Sequence, residues 1–413
     1  MSHYNILFLF GFPLEIGGHF KSALAMVKNL VKFGHKVYLM APGGSDLMFN
    51  QFTDVGATCF TCSGLETAQL RPSLAVYARI REICELNAID IIHAQEFKSI
   101  ANGYFAAVAL KKGFVYTHAG GPVGSRPPPK TIQSVFFSNE LLHGMIERYQ
   151  LVAENISVIP ARIDTDYFTS APVTPAFLKK YQLPAAAFKI VMAMRFDKSK
   201  KPWLNTVAQL AGQIADGQRD ARIIVAGGGN LYHDIAARMR DINSRSRVGK
   251  VIWLIGPVVD MDELRQLYNY ADVVWGHGRG ILEAMACKKP VVILGEQGEA
   301  ELVGPENISE IAYYNFSGRH FRNRPASPSI PVMNLLDTLQ DHASRVRAGE
   351  FCYNYIRQHM DAREGAAILA NKVYPRALCR KNSYHHLIFW YLQLWAVRLK
   401  RKLTRGVSLR RQK

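Results

Sequence analysis

Short apolar runs alternate with amphipathic segments along the chain, and this alternation predicts parallel β-sheets covered by helices. The run at 5–10, NILFLF, is apolar throughout and ends in a glycine-containing turn. After the turn, four apolar residues recur at helical spacing, namely Phe20, Leu24, Val27 and Val31. Gly34 ends this predicted helix, and another apolar run follows at 36–42. The same order of strand, turn and helix continues to about residue 167, which predicts a doubly wound sheet.

A second set of alternating strands and helices begins after a proline-containing linker at 169–177. Its apolar runs are FKIVMAM at 188–194, ARIIVA at 221–226, VIWLIG at 251–256, ADVVW at 271–275 and PVVIL at 290–294. The chain has 413 residues, which is more than one hydrophobic core usually serves. We therefore expect an α/β protein with two Rossmann-like, doubly wound domains that face a cleft. The predicted boundaries are 1–170 for the first domain, 177–349 for the second, 350–375 for a helix that crosses back, and 376–413 for an aromatic and basic tail.

Two histidines are placed by this pattern near the ends of strands in the first domain. His93 belongs to the run at 90–94, and His118 belongs to the run at 114–121. The carboxyl ends of parallel strands line the ligand crevice of such sheets, so both side chains are candidates for binding. A buried histidine with a purely structural role is the alternative for each.

The segment 268–294 combines a buried strand, the turn GHGRG, a short helix and a further strand. At such a junction the first N–H groups of the helix, and the positive end of its dipole, favour a phosphate. Glu283 lies in the first turn of the helix, where a carboxylate can accept hydrogen bonds from the 2′- and 3′-hydroxyls of a ribose. The segment therefore predicts a nucleotide site. The alternative is a helix start that merely favours an acidic residue.

Six motifs in order resemble those of the retaining family 4 glycosyltransferases, which have the GT-B fold. They are IGG at 16–18, GHKV at 34–37, VIPARIDTDYF at 158–168, MRFDKSK at 194–200, VAGGGN at 225–230 and ADVVWGHGRGILEAMACKKPVV at 271–292. The resemblance covers about residues 5–325. In the third motif, Ala161 and Arg162 replace the Asn-Gly pair that is usual in the family.

This resemblance implies a nucleotide diphosphate sugar as the donor substrate. The predicted donor-binding residues are Gly17, Gly18, Arg195, Lys200, Gly227, Arg279, Gly280, Ile281, Leu282 and Glu283. The resemblance also places His118 opposite the donor sugar, where it donates a hydrogen bond to a hydroxyl or to the reacting centre. We therefore predict that His118, Arg195 and Lys200 are the catalytic residues.

Arg195 and Lys200 fit the chemistry of such a transfer independently of the family name. A departing diphosphate gains negative charge, and a guanidinium and an ammonium in one loop can neutralise it. With backbone N–H groups, the two cations can replace a metal ion, and the sequence has no Asp-x-Asp motif. We therefore predict neither a metal nor a cofactor. A solvated basic loop remains the alternative for these two residues, and a simple turn remains the alternative for Gly17 and Gly18.

One position departs from the family pattern. Family members often carry a glutamate eight positions before the one that Glu283 matches, and that first glutamate contacts hydroxyls of the donor sugar. Here Trp275 occupies the position, and the turn after it offers His277 and Arg279 instead. We hypothesise that Arg279 recognises an anionic sugar or an additional phosphate.

Positive charge is concentrated in the tail. The chain carries 51 Lys and Arg against 33 Asp and Glu, for a net charge of +18, and residues 365–413 contain no acidic residue. The apolar segment 387–397 precedes eight basic residues but is too short to span a bilayer. We expect it to enter one leaflet while the bases bind anionic lipid. The alternative is a terminal helix that packs on the first domain.

The sequence thus predicts a cytoplasmic glycosyltransferase, held peripherally on the inner face of the plasma membrane, that extends a glycan or lipid-linked acceptor of a surface polysaccharide. Its six cysteines form no metal-binding framework, which favours a reducing compartment, and the chain has no predicted signal peptide. We expect the acceptor near 120–129 and no nucleic acid partner. A nucleotide-sugar epimerase or hydrolase of the same fold is one alternative, and a non-catalytic protein that binds anions or membranes is another.

Overall fold

The computed structural model describes residues 3–15, 17–66, 71–160, 163–185, 187–217, 220–324, 337–380 and 382–410. For Ser199 and for residues 400–410 it describes the backbone alone. Three residues of the predicted motifs, Ile16, Ala161 and Arg162, lie outside the described residues, as do Lys381 and the last three residues of the tail.

The chain forms two compact units. The first comprises Met1–Arg162 and Ala362–Lys413, and the second comprises Ile163–Asp361. Each unit contains one sheet with helices packed against it. The prediction of two α/β domains with doubly wound parallel sheets and a helical C-terminal region is therefore confirmed.

The described residues of the first unit form seven parallel strands. They are β1 Asn5–Phe10, β2 Lys36–Ala41, β3 Thr58–Thr61, β4 Ile91–Gln95, β5 Gly113–His118, β6 Gln133–Phe136 and β7 Ile156–Val158. Their order in the sheet is β3-β2-β1-β4-β5-β6-β7. The chain therefore winds outward from β1 in one direction, returns to β4 beside β1, and winds outward in the other. The carboxyl ends of β1 and β4 form the switch point where such sheets bind ligands.

Helices pack on both faces of this sheet. They are α1 Gly18–Lys32, α2 Asp46–Asp54, α3 Leu74–Leu86, α4 Ile100–Ala109 and α5 Asn139–Tyr149. The central strands are buried along most of their length because helices cover both faces, as β1 shows with five of its six residues buried. Ser45, Ser73 and Ser138 each accept a first-turn N–H, which stabilises the starts of α2, α3 and α5.

The second unit repeats this plan with six strands. Its strands are β8 Phe188–Ala193, β9 Ala221–Ala226, β10 Ile252–Gly256, β11 Val273–Gly276, β12 Val291–Leu294 and β13 Ala300–Leu302. Its helices are α6 Pro175–Tyr181, α7 Lys201–Ala215, α8 Tyr232–Arg245, α9 Met261–Tyr270, α10 Arg279–Ala286, α11 Ile308–Tyr313 and α12 His342–His359. The sheet order is β10-β9-β8-β11-β12-β13, and only β13 is antiparallel to its neighbour. The switch point lies between β8 and β11.

The chain leaves the second unit between two helices. The sequence predicts one crossing helix at 350–375, whereas α12 ends at His359 and α13, Ala362–Ile368, begins after a short break. At the break, the N–H of Ile163 donates to the carbonyl of Met360 over 3.0 Å. Residue 163 enters the second unit and residue 361 leaves it, so this bond joins the two crossing segments side by side.

The C-terminal helices belong to the first unit. A π-helical turn at Leu369–Val373 follows α13, and α14 Tyr374–Cys379 and α15 Tyr384–Arg410 complete the chain. Within the described ranges, no helix has both the length and the apolar character needed to cross a membrane.

Candidate functional site

Lys200 and the turn before α10 meet at the carboxyl edge of the second sheet. Because β8 and β11 are neighbours at the switch point, the loops that follow them lie side by side. Lys200, in the loop after β8, donates a hydrogen bond from Nζ to Nε2 of His277, in the turn after β11, over 3.0 Å. The fold thus joins a predicted catalytic cation to the glycine-rich turn, although 77 positions separate the two residues in sequence.

The indole of Trp203, at the start of α7, packs against both of these side chains. Lys200 Nζ lies 4.1 Å from the centre of the Trp203 ring, and the His277 ring lies edge-on to the indole at 4.2 Å. Burial, with the nearby charges of Lys200 and Arg319 acting in the same direction, lowers the pKa of His277 to about 3. His277 is therefore neutral at pH 7 and accepts through Nε2, which leaves its proton on Nδ1. An aromatic face and an imidazole together hold the ammonium of Lys200 in place.

Arg195 lies in the same loop but points to solvent. Its side chain is 81% exposed, and its Nε lies 3.4 Å from Oδ2 of Asp197. The structure therefore holds one of the two predicted diphosphate-binding cations against the crevice floor and leaves the other at the surface. An exposed guanidinium can turn towards a phosphate that arrives from solvent.

The first turn of α10 follows a glycine with an unusual backbone conformation. Gly278 precedes the helix at φ 62°, and its N–H donates to the carbonyl of Phe316 over 2.6 Å. The first N–H groups of α10 have no acceptor within the helix, so they favour an anion. Ile281 and Leu282 are buried, and their predicted contacts with the donor stay predictions.

Glu283 lies in the second turn of α10 and not in the first turn that the sequence predicts, because the helix already begins at Arg279. Its side chain is buried and has two partners. Its Oε1 accepts from Nε of Arg279 over 2.7 Å, and its Oε2 accepts from the hydroxyl of Tyr268 over 3.2 Å. The side chains of Arg279 and Glu283 are only 9% and 3% exposed. Arg279 and Glu283 thus form an ion pair with each other, whereas the sequence predicts a separate substrate contact for each. Those contacts stay predictions, and either one requires this buried pair to open or to share its hydrogen bonds.

Gly227 has a steric role beneath the basic loop. It follows β9 at φ 156°, and a Cβ atom there would lie 1.9 Å from the carbonyl oxygen of Met194. Only glycine lets the chain pass this close to the segment that carries Arg195. A role of Gly227 in donor binding stays a prediction.

Trp275, at the position of the missing glutamate, is a core residue. It lies in β11 between Met192 and Val292 on the neighbouring strands, and it is 1% exposed. A side chain with this burial cannot contact a donor sugar in the crevice. The polar groups that remain nearest this position in the chain are His277 and Arg279.

The first sheet places Gly17, Gly18 and His118 at its carboxyl edge. Gly17 precedes α1 with an extended backbone, and α1 starts at Gly18 without a side-chain cap, which leaves first-turn N–H groups for an anion. His118 is the last residue of β5, and its Nδ1 lies 3.0 Å from the hydroxyl of Tyr116. Burial lowers the pKa of His118, against a smaller raising effect of the Gly120 backbone. His118 is thus a largely neutral imidazole at neutral pH.

The structure contradicts the placement of His93 at a strand end. His93 is the third residue of β4, and both ring nitrogens have partners: Nδ1 lies 3.1 Å from the hydroxyl of Tyr374, and Nε2 lies 2.7 Å from Oγ1 of Thr117. Burial lowers its pKa to about 3. His93 therefore has the structural role that was its alternative, because β4 extends beyond it to Gln95.

Glu96, which the sequence analysis missed, is the residue that follows β4. Its backbone has φ 66° and ψ 160°, a conformation that side-chain-bearing residues rarely adopt and that concentrates at functional sites. Its Oε1 accepts from the N–H of Ala119, the residue after His118, over 3.2 Å. Burial raises the pKa of Glu96 to about 7. A strained carboxyl with a raised pKa beside His118 marks this edge as a candidate site for substrate hydroxyls.

The Glu96→Gln variant is expected to become more stable than the wild type as the pH rises. The raised pKa means that the folded protein disfavours the ionised carboxylate, so the wild type loses stability between about pH 4.5 and pH 7, whereas glutamine does not titrate. The difference in unfolding free energy should be near zero at pH 4.5 and about 2–3 kcal/mol in favour of the variant at pH 8. Urea unfolding across this range measures it. Glu147→Gln, at an exposed position on α5, is the control, and parallel curves for wild type and Glu96→Gln would contradict the assignment.

Two family profiles match the chain on these two units. The family described as Glycosyltransferase Family 4 matches residues 16–167, and the family described as Glycosyl transferases group 1 matches residues 187–313. The protein is a group 1 glycosyltransferase. The crevice of its second unit therefore belongs to an enzyme that transfers sugars from nucleotide sugars, and the resemblance inferred from the six motifs is confirmed.

Solved structures agree with this glycosyltransferase on the fold. A glycosyltransferase from Rickettsia africae has a TM-score of 0.69 at 16% identity, over 92% of this chain and 100% of its own. HepE of Anabaena in complex with UDP-glucose has a TM-score of 0.63 at 17% identity, over 90% and 100%. Sucrose-phosphate synthase from Thermosynechococcus elongatus has a TM-score of 0.59 at 14% identity, over 89% and 97%. The fold is GT-B, as predicted. No curated protein sequence matches the chain.

Proposed function

We propose that this glycosyltransferase transfers a sugar, with retention of anomeric configuration, from a UDP-sugar to a glycan or lipid-linked acceptor of a surface polysaccharide. The observation that carries the proposal is the contact of Lys200 with His277 beside the first turn of α10. It combines a fixed cation with backbone N–H groups at one switch point, an arrangement that suits a diphosphate. HepE, which has the same fold, binds UDP-glucose, and this supports uracil as the first base to test.

In this proposal the chemistry rests on charge at the departing diphosphate. Lys200 and Arg195 neutralise the charge that the diphosphate gains as the bond to the sugar breaks, and the N–H groups of α10 add to this effect. His118, neutral at pH 7, contributes a hydrogen bond to the sugar. The two cations take the place of a metal ion, and excess EDTA is therefore expected to leave the rate unchanged. A loss of activity that Mg²⁺ restores would contradict this part of the proposal.

We also propose that the enzyme acts in the cytoplasm at the inner face of the plasma membrane. All six cysteines are free thiols, and this supports a reducing compartment.

Binding of one class of sugar nucleotide is expected to stabilise the enzyme against heat. UDP-, GDP-, ADP- and CMP-sugars, each at the same concentration, are compared by thermal shift, with the free sugar as the control ligand. A ligand at 100 times its dissociation constant adds about 2.7 kcal/mol to the unfolding free energy. We expect the UDP-sugars to give the largest shift.

Product analysis then separates the proposed transfer from its alternatives. With the stabilising donor and a membrane extract as acceptor, we expect a glycosylated product whose anomeric configuration, measured by NMR, equals that of the donor. Release of free sugar or of an epimer without any acceptor would indicate a hydrolase or an epimerase instead. No thermal shift with any sugar nucleotide would contradict the donor site itself.

A further inference from the structure

The helix α15 presents one apolar face to the first unit. Leu387 and Trp390 are buried in its core, and Tyr391 and Leu394 pack partly against the same cluster. These four residues recur at the spacing of one helix face. The alternative role of the tail, packing on the first domain, is therefore realised by this face.

A second apolar face of α15 points to solvent. Its exposed residues are Tyr384, Ile388, Phe389, Leu392, Trp395 and Leu399, each between 43% and 64% exposed. Five of them recur at intervals of three or four residues, so they form a stripe about 22 Å long on one side of the helix. Fourteen large apolar side chains in the described part of the chain are exposed, and six of these lie on this single helix. We call these six residues the outer stripe.

The charge around the outer stripe selects one kind of partner. Residues 365–413 contain twelve basic residues and no acidic residue, and eight of the bases follow Val397. A second copy of the same helix would bring the same positive charge to the contact, which disfavours self-association through the stripe. An anionic bilayer offers an apolar interior to the stripe and negative headgroups to the bases.

The same helix holds the segment where we expect the acceptor. Nε1 of Trp390 donates to the carbonyl of Pro127 over 2.9 Å. Just before α15, Arg380 donates to the carbonyl of Thr131 over 2.6 Å and also to the side chain of Asn155. The loop that follows His118 is therefore fixed to α15 within one unit, and whatever surface binds the outer stripe lies next to this loop.

We propose that α15 lies on an anionic bilayer through its outer stripe, and that it thereby holds the loop at 120–129 beside lipid-linked acceptors. The second half of this proposal rests on the proposed function, whereas the first half does not. The acceptor would carry its lipid in the same leaflet that binds α15, so the enzyme would collect it from the membrane plane.

Vesicle binding by the full-length protein tests the docking surface without any sugar nucleotide. We expect binding to vesicles of equal parts phosphatidylglycerol and phosphatidylcholine, weaker binding at high salt, and little binding to phosphatidylcholine alone. The variant Ile388→Ser with Leu392→Ser should lower the apparent affinity at least about tenfold, because it removes apolar area that enters the bilayer. The matched control is Leu74→Ser with Leu86→Ser, since both leucines lie on α3 of the same unit and are more exposed, at 78% and 77%. This control should bind as the wild type does.

Three results would overturn the docking proposal. The first is unchanged vesicle binding by the outer-stripe variant, with its thermal stability intact. The second is equal binding to neutral and anionic vesicles. The third is a wild-type protein that is dimeric and binds no vesicles, together with an outer-stripe variant that is monomeric. This result would make the stripe a self-association surface.

Transfer assays test the acceptor half separately. The outer-stripe variant should show the same thermal shift with UDP as the wild type but a loss of at least about tenfold in transfer to acceptors in a membrane extract. Full transfer by this variant would overturn the acceptor half. Absence of any nucleotide effect in the wild type would instead count against the proposed function and would leave the vesicle result standing.

Discussion

Replacement of Lys200 by methionine is expected to lower kcat/KM for sugar transfer by about 10²–10³-fold, which corresponds to about 3–4 kcal/mol of transition-state stabilisation. Methionine keeps an unbranched apolar chain over the indole of Trp203 but removes the ammonium that donates a hydrogen bond to Nε2 of His277. The lost charge is needed most when the diphosphate departs, so kcat should fall more than KM rises. Steady-state kinetics with the donor identified by thermal shift measure both constants.

Lys198→Met is the matched control for this experiment. Lys198 lies two positions earlier in the same basic loop and is exposed, so its removal tests whether charge anywhere in the loop is sufficient. We expect this variant to retain most of the wild-type kcat/KM. Equal losses in the two variants would show that Lys200 acts only as part of a solvated basic loop, which is the alternative that the sequence left open.

Replacement of Arg279 by methionine is expected to lower the free energy of unfolding by about 3 kcal/mol or more. The substitution removes the cation beside the buried carboxylate of Glu283, which still accepts a hydrogen bond from the hydroxyl of Tyr268. An unpaired buried charge is far more costly than the loss of a surface ion pair. Urea unfolding at pH 7 measures the change, and the double variant Arg279→Met with Glu283→Gln should recover at least half of the loss.

The chain provides a close control in α3. Arg81 Nε contacts Glu85 Oε1 at 2.6 Å with the same four-residue spacing, but both side chains are more than half exposed. Arg81→Met should leave the unfolding midpoint unchanged. If Arg279→Met is equally harmless, the buried pair contributes no stability. Kinetics of the same variant test the substrate role, since unchanged constants with the true donor would exclude Arg279 from sugar recognition.

The pairing of Arg279 with Glu283 bears on how the family site works in this chain. A carboxylate that already accepts from Arg279 and Tyr268 has its orientation set before any ligand arrives. Such preorganisation suits the recognition of a ribose only if the diol can share these hydrogen bonds. The i, i+4 spacing of the two residues was visible in the sequence and is the spacing of neighbours on a helix. The ion pair was therefore predictable, whereas its burial was not.

The ends of buried strands are the features of this chain that local sequence patterns locate least well. A strand that is buried on both faces has no alternation of apolar and polar residues, so its pattern does not show where it stops. The strand β4 runs to Gln95, which puts His93 in the core and Glu96 at the crevice edge. The interpretation of His93 failed for this reason, and Glu96 was missed for the same reason.

Periodicity and local chemistry determined the larger features of this protein. Alternating apolar runs and helical spacings were sufficient to predict two doubly wound units. Local burial patterns carry this information because they reflect the layer in which each segment lies. The order of the six motifs was sufficient to predict the family. The tail was recognisable as apolar and basic, because composition alone carries that information.

Only the tertiary structure decided which residues meet. The contact of Lys200 with His277 depends on β8 lying beside β11, and strand order is a long-range property that no local spacing contains. The structure likewise divided the tail helix into a face that packs through Trp390 and a face that is exposed. From the sequence the helix is apolar on nearly every side, and only the packing of the first unit determines which side stays exposed.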